Sequence, residues 1–199
     1  MPDFIFNAGH LALDLVNTEQ VAEGVPVDLL DSPAALLEWL RQSGAVAPSD
    51  MKAAEKAFLR DKAASGLLLQ QARSLRSALR HMAEAISGGR PVSAQILAAI
   101  NAVLRQSPRV LEIMRQKGGY ALQWRPQNAD GEALLAPVAE AAARLLAEGD
   151  HSRVRKCANP TCVLYVYDTT RSRTRHWCSM QSCGNRAKAA RFYGKHHGR

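Results

Sequence analysis

The chain has 199 residues, 47% of them hydrophobic, and a formal net charge of +8. That apolar share is ample for a packed core, and no uninterrupted apolar run approaches the roughly 20 residues of a membrane span, so a soluble protein is expected. The charge is unevenly placed. Residues 1–150 hold 15 Lys and Arg against 17 Asp and Glu (net −2), and residues 151–199 hold 11 against 1 (net +10), which together make the +8. The asymmetry predicts two parts, a domain over residues 1–150 and a basic module over residues 151–199.

Met1-Pro2-Asp3-Phe4 shows no basic segment followed by an apolar one, so no secretory leader is expected and the chain reads as cytoplasmic. Phe4-Ile5-Phe6 suggests a short strand and Asn7-Ala8-Gly9 a turn. Leu11, Leu13, Leu15 and Val16 suit a short buried helix or a strand; periodicity cannot decide at this length. Asp14 and Asn17, three apart, share a face if the segment is helical. Polar groups in an apolar run need partners, either the neighbouring backbone or a ligand in a pocket.

Asp31-Ser32-Pro33 is a helix start with Ser32 as N-cap, and Gly44 is its stop. Ser49-Asp50 opens a second helical region over 51–87, with an interruption expected at Ser65-Gly66. Within it Arg76 and Arg80 lie four apart. They suit a solvated face, or two guanidiniums clamping a carboxylate or phosphate, which makes them candidate pocket residues with Asp14 and Asn17. Ser93 caps a helix through Leu104. Val110–Met114 and Tyr120–Trp124 read as a hairpin about Lys117-Gly118-Gly119, with Tyr120, Leu122 and Trp124 on one face and expected in the core. Leu134–Leu146 is an amphipathic helix. The fold expected for this part is mainly α with one small β-hairpin, an α+β domain. The chain shows no internal repeat, phosphate-binding loop, dinucleotide fingerprint or nucleophile elbow.

The last quarter carries the identifiable chemistry. All four cysteines are there, as Cys157-x4-Cys162 and Cys178-x4-Cys183 separated by fifteen residues. Two close pairs joined by a chain long enough for a hairpin suit a tetrahedral site of four thiolates. Two disulfides, four free thiols or a redox dithiol are the competing readings; disulfides need an oxidising compartment, and the C-x-x-C spacing of a redox pair is absent. Iron would suit four thiolates as zinc does. Val163–Tyr167 is expected as one strand and Arg175-His176-Trp177 as its hairpin partner. A helix follows from Asn185, with Gly194 as its C-cap. Hairpin and helix about one metal make a treble-clef-like module. Four cysteine ligands leave no open position for water, so the metal is structural and no enzyme activity is expected.

Cys183-Gly184-Asn185-Arg186, with the Arg-x-Cys-x4-Cys at Arg155 and the Arg-x-Trp-Cys-Ser-Met at Arg175, resembles the signature of the CGNR zinc-finger family. Gly9-His10-Leu11-Ala12-Leu13-Asp14-Leu15-Val16-Asn17-Thr18 resembles the opening of ABATE, the N-terminal domain that accompanies this finger. The resemblance covers nearly the whole chain. It implies a bacterial protein of a group described as stress-induced transcription regulators, one structural zinc per chain, and Gly184, Asn185 and Arg186 as a structural signature.

The module also concentrates cations. Arg171, Arg173 and Arg175 alternate and would share one face of an extended segment. Lys188, Arg191 and Lys195 follow helical spacing and make one ridge, while Arg186 is set apart as a brace for the metal loop. These six are the candidate nucleic-acid contacts. The expected function is a transcription regulator whose finger binds DNA and whose N-terminal domain senses a small-molecule effector or forms a homodimer. The rival is a module that binds a protein or RNA around a structural zinc; an enzyme with a pocket in the N-terminal domain is the distant third.

Overall fold

A computed structural model describes residues 3–22, 24–106, 108–126 and 134–197; the side chains of residues 49, 109, 124–126 and 194–197 lie outside that description. The chain begins with a short helix, α1 (Leu11–Val16), so the apolar run after Gly9 is helical. Phe4-Ile5-Phe6 is not a strand: Phe4 is buried, and Phe6 stacks obliquely on Trp39 at 5.9 Å between ring centroids. A hairpin that the sequence did not announce follows, β1 (Glu19–Ala22) with β2 (Val25–Asp28).

Helix α2 (Pro33–Ser43) starts and stops where its signals stand. The Ser32 hydroxyl accepts from Ala35 N–H at 3.2 Å, and Gly44 ends the helix in the left-handed region at φ 65°. Helices α3 (Pro48–Arg60) and α4 (Lys62–Ser87) divide at Asp61 rather than at Ser65-Gly66. The reason is local. Asp61 leaves the helical conformation (φ −130°, ψ 98°), and its carboxylate takes the N–H groups of Ala63 and Ala64 at 2.9 and 3.0 Å. A carboxylate capping free N–H donors is a stronger start signal than a glycine is a stop, and Gly66 sits inside α4.

Helix α4 is the hub. Leu68, Leu69, Ala72, Leu75, Leu79, Met82, Ala83 and Ile86 line its buried side, and it packs against α1, α2, α3 and α5 (Ala94–Gln106). Then comes the long antiparallel hairpin of β3 (Arg109–Gln116) and β4 (Gly119–Pro126), with Gly118 at φ 95° in the turn. Its register places Ile113 opposite Leu122 and Arg115 opposite Tyr120. This face is not core: Ile113 is 72% exposed, Tyr120 74% and Leu122 65%. The side chain of Trp124 is outside the described residues. Helix α6 (Ala136–Glu148) returns to the core against α1 and α5.

After a single turn at His151–Arg153 the chain forms β5 (Val154–Lys156), which pairs with β6 (Tyr165–Tyr167). The hairpin of the module is therefore β5–β6, with the first cysteine pair in its connection. Residues 175–177 are not its partner strand. The last helix, α7 (Asn185–His197), runs through Gly194 instead of ending there. Among the described residues no helix is long and apolar enough to cross a membrane.

The main core does not stop at residue 150. Val154 and Tyr165 belong to the same apolar cluster as Leu13, Leu75 and Val138, and β5 packs on α4. A second, smaller cluster surrounds Val166 and the buried cysteines.

Candidate metal centre

The four thiols converge from two turns. Cys157 directly follows β5 and Cys162 stands three residues before β6. Between them Asn159 shapes the turn: its carbonyl accepts from Cys162 N–H at 2.9 Å and its side-chain oxygen from Thr161 N–H at 3.1 Å. Cys178 stands two residues before a wide helical turn, Met180–Gly184, and Cys183 lies within it; the start of the turn is capped by the Ser179 hydroxyl on Gln181 N–H. Gly184 is closely packed there, because a Cβ at that position would stand 2.7 Å from Met180 Sδ and 3.3 Å from Trp177 Cδ1.

All four Sγ atoms lie within 4.8 Å of one another, with Cys162 to Cys178 at 3.8 Å and Cys178 to Cys183 at 3.6 Å. Tetrahedral Zn–S bonds of about 2.3 Å place sulfur atoms roughly 3.8 Å apart, whereas a disulfide needs about 2.05 Å. The cysteines are unbridged, and their spacing fits one zinc ion at the centre. Cys157, Cys178 and Cys183 are buried and Cys162 half-buried.

The surroundings supply positive dipoles to the sulfurs. Cys178 N–H points at Cys157 Sγ (3.4 Å), Asn159 Nδ2 donates to Cys183 Sγ (3.4 Å), and Arg186 Nη2 stands 3.7 Å from the same sulfur. Donors of this kind stabilise thiolate over thiol and orient the ligand. The Cys162 thiol is lowered to about 5, chiefly by the hydrogen bond from Cys178. The same bond, then burial, pushes the Cys178 thiol up. Four thiolates this close repel one another, and a cation between them offsets that repulsion. Arg186 faces a sulfur of the site.

The loop between the cysteine pairs is held from inside. The Asp168 carboxylate is fully buried and accepts from Thr170 N–H and Arg175 N–H, each at 2.9 Å, and from the Thr170 hydroxyl. Burial alone would raise its pKa; these hydrogen bonds and the Arg155 guanidinium outweigh that and hold it at about 2. Arg153 Nη1 donates to Asp168 O (2.7 Å), and Arg155 Nη2 to Arg173 O (2.9 Å). Asp168 is the module's single side-chain carboxylate among eleven cations.

Three of the candidate cations are placed differently from expectation. Residues 171–177 form no strand, and Arg173 sits in the left-handed region at φ 53°, so Arg171, Arg173 and Arg175 do not share a strand face. Arg175 is turned inward: Nη2 donates to Asn7 O and Cys178 O, both at 2.7 Å, and Nε to Trp177 O at 3.2 Å. A guanidinium satisfied by three carbonyls is a structural bracket. Arg173 is half-exposed and 3.3 Å from the Asp150 carboxylate. Arg171, Lys188 and Arg191 are exposed and meet no carboxylate in an ion pair among the described residues. The Lys195 side chain lies outside the described residues.

The four candidate pocket residues are likewise occupied internally. Arg76, buried in α4, forms a fork on Asp28 and also reaches Glu19 (3.0 Å) and the Thr18 hydroxyl (2.9 Å). Arg80 binds Glu19 (2.9 Å) and the carbonyls of Val16 and Val163. Two guanidiniums do clamp carboxylates, but these are carboxylates of the chain's own β1–β2 hairpin. Asp14 accepts Ala8 N–H at 2.9 Å, and burial raises its pKa to about 6 against that bond and the charge of Arg175. Asn17 pairs with the backbone of Tyr165, Nδ2 donating to its carbonyl at 2.8 Å and Oδ1 accepting its N–H at 2.9 Å. Among the cavities lined by described residues, Arg80 borders one beside Glu19 and Asp28, and Asp14, Asn17 and Arg76 do not join it there. One open space beside the four sulfurs is a cleft of about 620 Å³ between Asn7, Val21 and the second cysteine turn.

Two family models match the chain, one after the other. The ABATE family model, described as "Putative stress-induced transcription regulator", matches residues 9–149. The CGNR zinc finger model matches residues 153–196. A search of curated proteins gave no match.

Proposed function

The chain belongs to the ABATE family and carries a CGNR zinc finger with one structural zinc, and from that premise we propose that it is a DNA-binding transcription regulator. The observation that carries this reading is the charge of the finger, eleven cations against one buried carboxylate in 49 residues. Not all eleven are available. Arg153, Arg155 and Arg175 hold loop carbonyls, and Arg186 faces the Cys183 sulfur. Of the candidate contacts, Arg171, Arg173, Lys188 and Arg191 face outward, with Lys195 following Lys188 and Arg191 at helical spacing on α7. Cations on a metal-clamped scaffold suit phosphate contact, which positions a protein on nucleic acid before any base is read.

A metal with four thiolate ligands keeps no position for substrate, so this reading makes the protein a binder and not an enzyme. Asp14, Asn17, Arg76 and Arg80, candidates for a ligand pocket or for internal partners, are each engaged inside the fold and lend the effector reading no support.

Salt titration of binding to duplex DNA tests the proposal. Each phosphate contact contributes about −0.9 to the slope of log K against log salt, so three to five engaged cations give a slope on the order of −3 to −4.5. Lys188→Ala with Arg191→Ala flattens the slope by about 2 and leaves zinc content unchanged. A zinc-loaded protein that does not bind duplex at low salt sinks the DNA reading. Preference for an acidic protein or for RNA in the same assay would favour the rival.

A further inference from the structure

The two parts that the family models separate are joined by a set of contacts that converge on one three-residue strand. Strand β6 is approached from outside its own module by four groups. Asn17 grips both backbone groups of Tyr165. Tyr167 N–H donates to Ala8 O at 2.7 Å. Gly9 lies so close that a Cβ would stand 2.8 Å from Tyr167 O, and its φ of 75° is one that only glycine adopts without strain. Arg80, from α4, reaches Val163 O just before the strand at 3.1 Å. Three of these four belong to the opening stretch from Ala8 to Thr18. Beneath them the Tyr165 ring, 3% exposed, is part of the main core.

The same strand is tied at its other side to the metal. Cys157 N–H donates to Leu164 O at 2.9 Å, and Cys157 and Cys162 together close the loop that joins β5 to β6. A hairpin of three-residue strands has no independent stability in water. It exists here because zinc fixes its loop and α1 fixes its backbone.

We infer that residues 8–18 together with Arg80 form a latch on β6 that couples zinc occupancy to the packing of the helical domain. The coupling follows from which groups would be stranded. If the metal leaves and β6 lifts, the buried Asn17 amide, 6% exposed, loses both partners at once, and Arg80 and Ala8 lose one each. Buried groups that lose hydrogen bonds destabilise what holds them, which here is α1 and the centre of α4. Conversely, a loosened α1 leaves the metal loop anchored on one side only, so zinc is held less tightly. Coupling between two sites is reciprocal by thermodynamic necessity. The expectation from charge was two parts divided at residue 150; the latch joins them into one cooperative unit.

Hydrogen exchange on the wild-type full chain, zinc-loaded and then stripped by a chelator, tests this without any variant. Removal of zinc raises exchange in residues 11–17 and 75–82 together with residues 154–167. Exchange that rises only within residues 154–183 overturns the inference. The reciprocal arm is zinc affinity measured by competition with a chelator. Asn17→Ala, if it keeps the helical circular dichroism of the wild type, lowers that affinity on the order of 5–150-fold, the usual range for two coupled sites. Unchanged affinity in that folded variant also overturns the latch. If the variant does not fold, the wild-type exchange experiment decides alone. DNA binding enters neither readout, so the latch and the DNA reading fail separately.

Discussion

The β3–β4 hairpin pairs eight residues with eight, and the β5–β6 hairpin pairs three with three. By length the first is the better hairpin. Yet Ile113, Tyr120 and Leu122 stand mostly in solvent, whereas Val154, Tyr165 and Val166 are buried. The difference lies in what covers the faces and what ties the ends. Helices α1 and α4 cover β5–β6 and four cysteines tie its loop; β3–β4 makes its main contacts with itself. A two-stranded ribbon is marginal in water, so its stability comes from whatever it is packed against. Strand pairing registers the contrast poorly, because backbone hydrogen bonds contribute little net free energy compared with apolar burial.

Three substitutions would break or sharpen this contrast. The largest effect is expected at Tyr165→Ala, which removes a buried ring from the main core beneath the short hairpin. Large-to-small changes of this kind cost about 3–5 kcal/mol, so denaturant unfolding should show a loss in that range. A loss under 1 kcal/mol would mean that β5–β6 does not depend on its packing.

An intermediate effect is expected at Asp14→Asn, in the cradle that covers β6. The native carboxyl has its pKa raised to about 6, so the native state binds the proton more tightly than the unfolded chain, whose Asp titrates near 4. Wild-type stability therefore falls as pH rises between about 4 and 6. Asparagine keeps an oxygen for Ala8 N–H and does not titrate. The stability of the variant relative to wild type should improve by about 1 kcal/mol between pH 5 and pH 7. A relative stability that is flat across that interval would show that Asp14 is not held in a desolvated site.

The smallest effect is expected at Ile113→Thr on the long hairpin. The position is 72% exposed, and threonine keeps the β-branched shape. The change should stay within about 0.5 kcal/mol by thermal unfolding. A loss like that at Tyr165 would show that the exposed face of β3–β4 is covered in solution.

What the residues themselves revealed was whatever depends on neighbours in sequence. The metal ligands were legible because a tetrahedral thiolate site needs two close pairs, and each pair is made within one turn. The Ser32 cap, the Gly44 stop and the Lys117-Gly118-Gly119 hairpin were legible for the same reason: a few adjacent residues set those dihedral angles. The family signatures at Gly9–Thr18 and Cys183–Arg186 were equally plain as strings. Their meaning was not. Asn17 finds its partner 148 residues away in Tyr165, Arg76 finds Asp28 at 48 residues, and Arg175 finds Asn7 at 168. Nothing local distinguishes an arginine that will meet a buried carbonyl from one that will meet water, so Arg175 resembled Arg171, and for Asp14 and Asn17 a backbone partner and a ligand stayed open alternatives. Only the tertiary structure decided which polar side chains are consumed inside the fold, because that depends on which strand is laid against which helix. The chain alone placed the zinc; packing alone placed β6 between the zinc and α1.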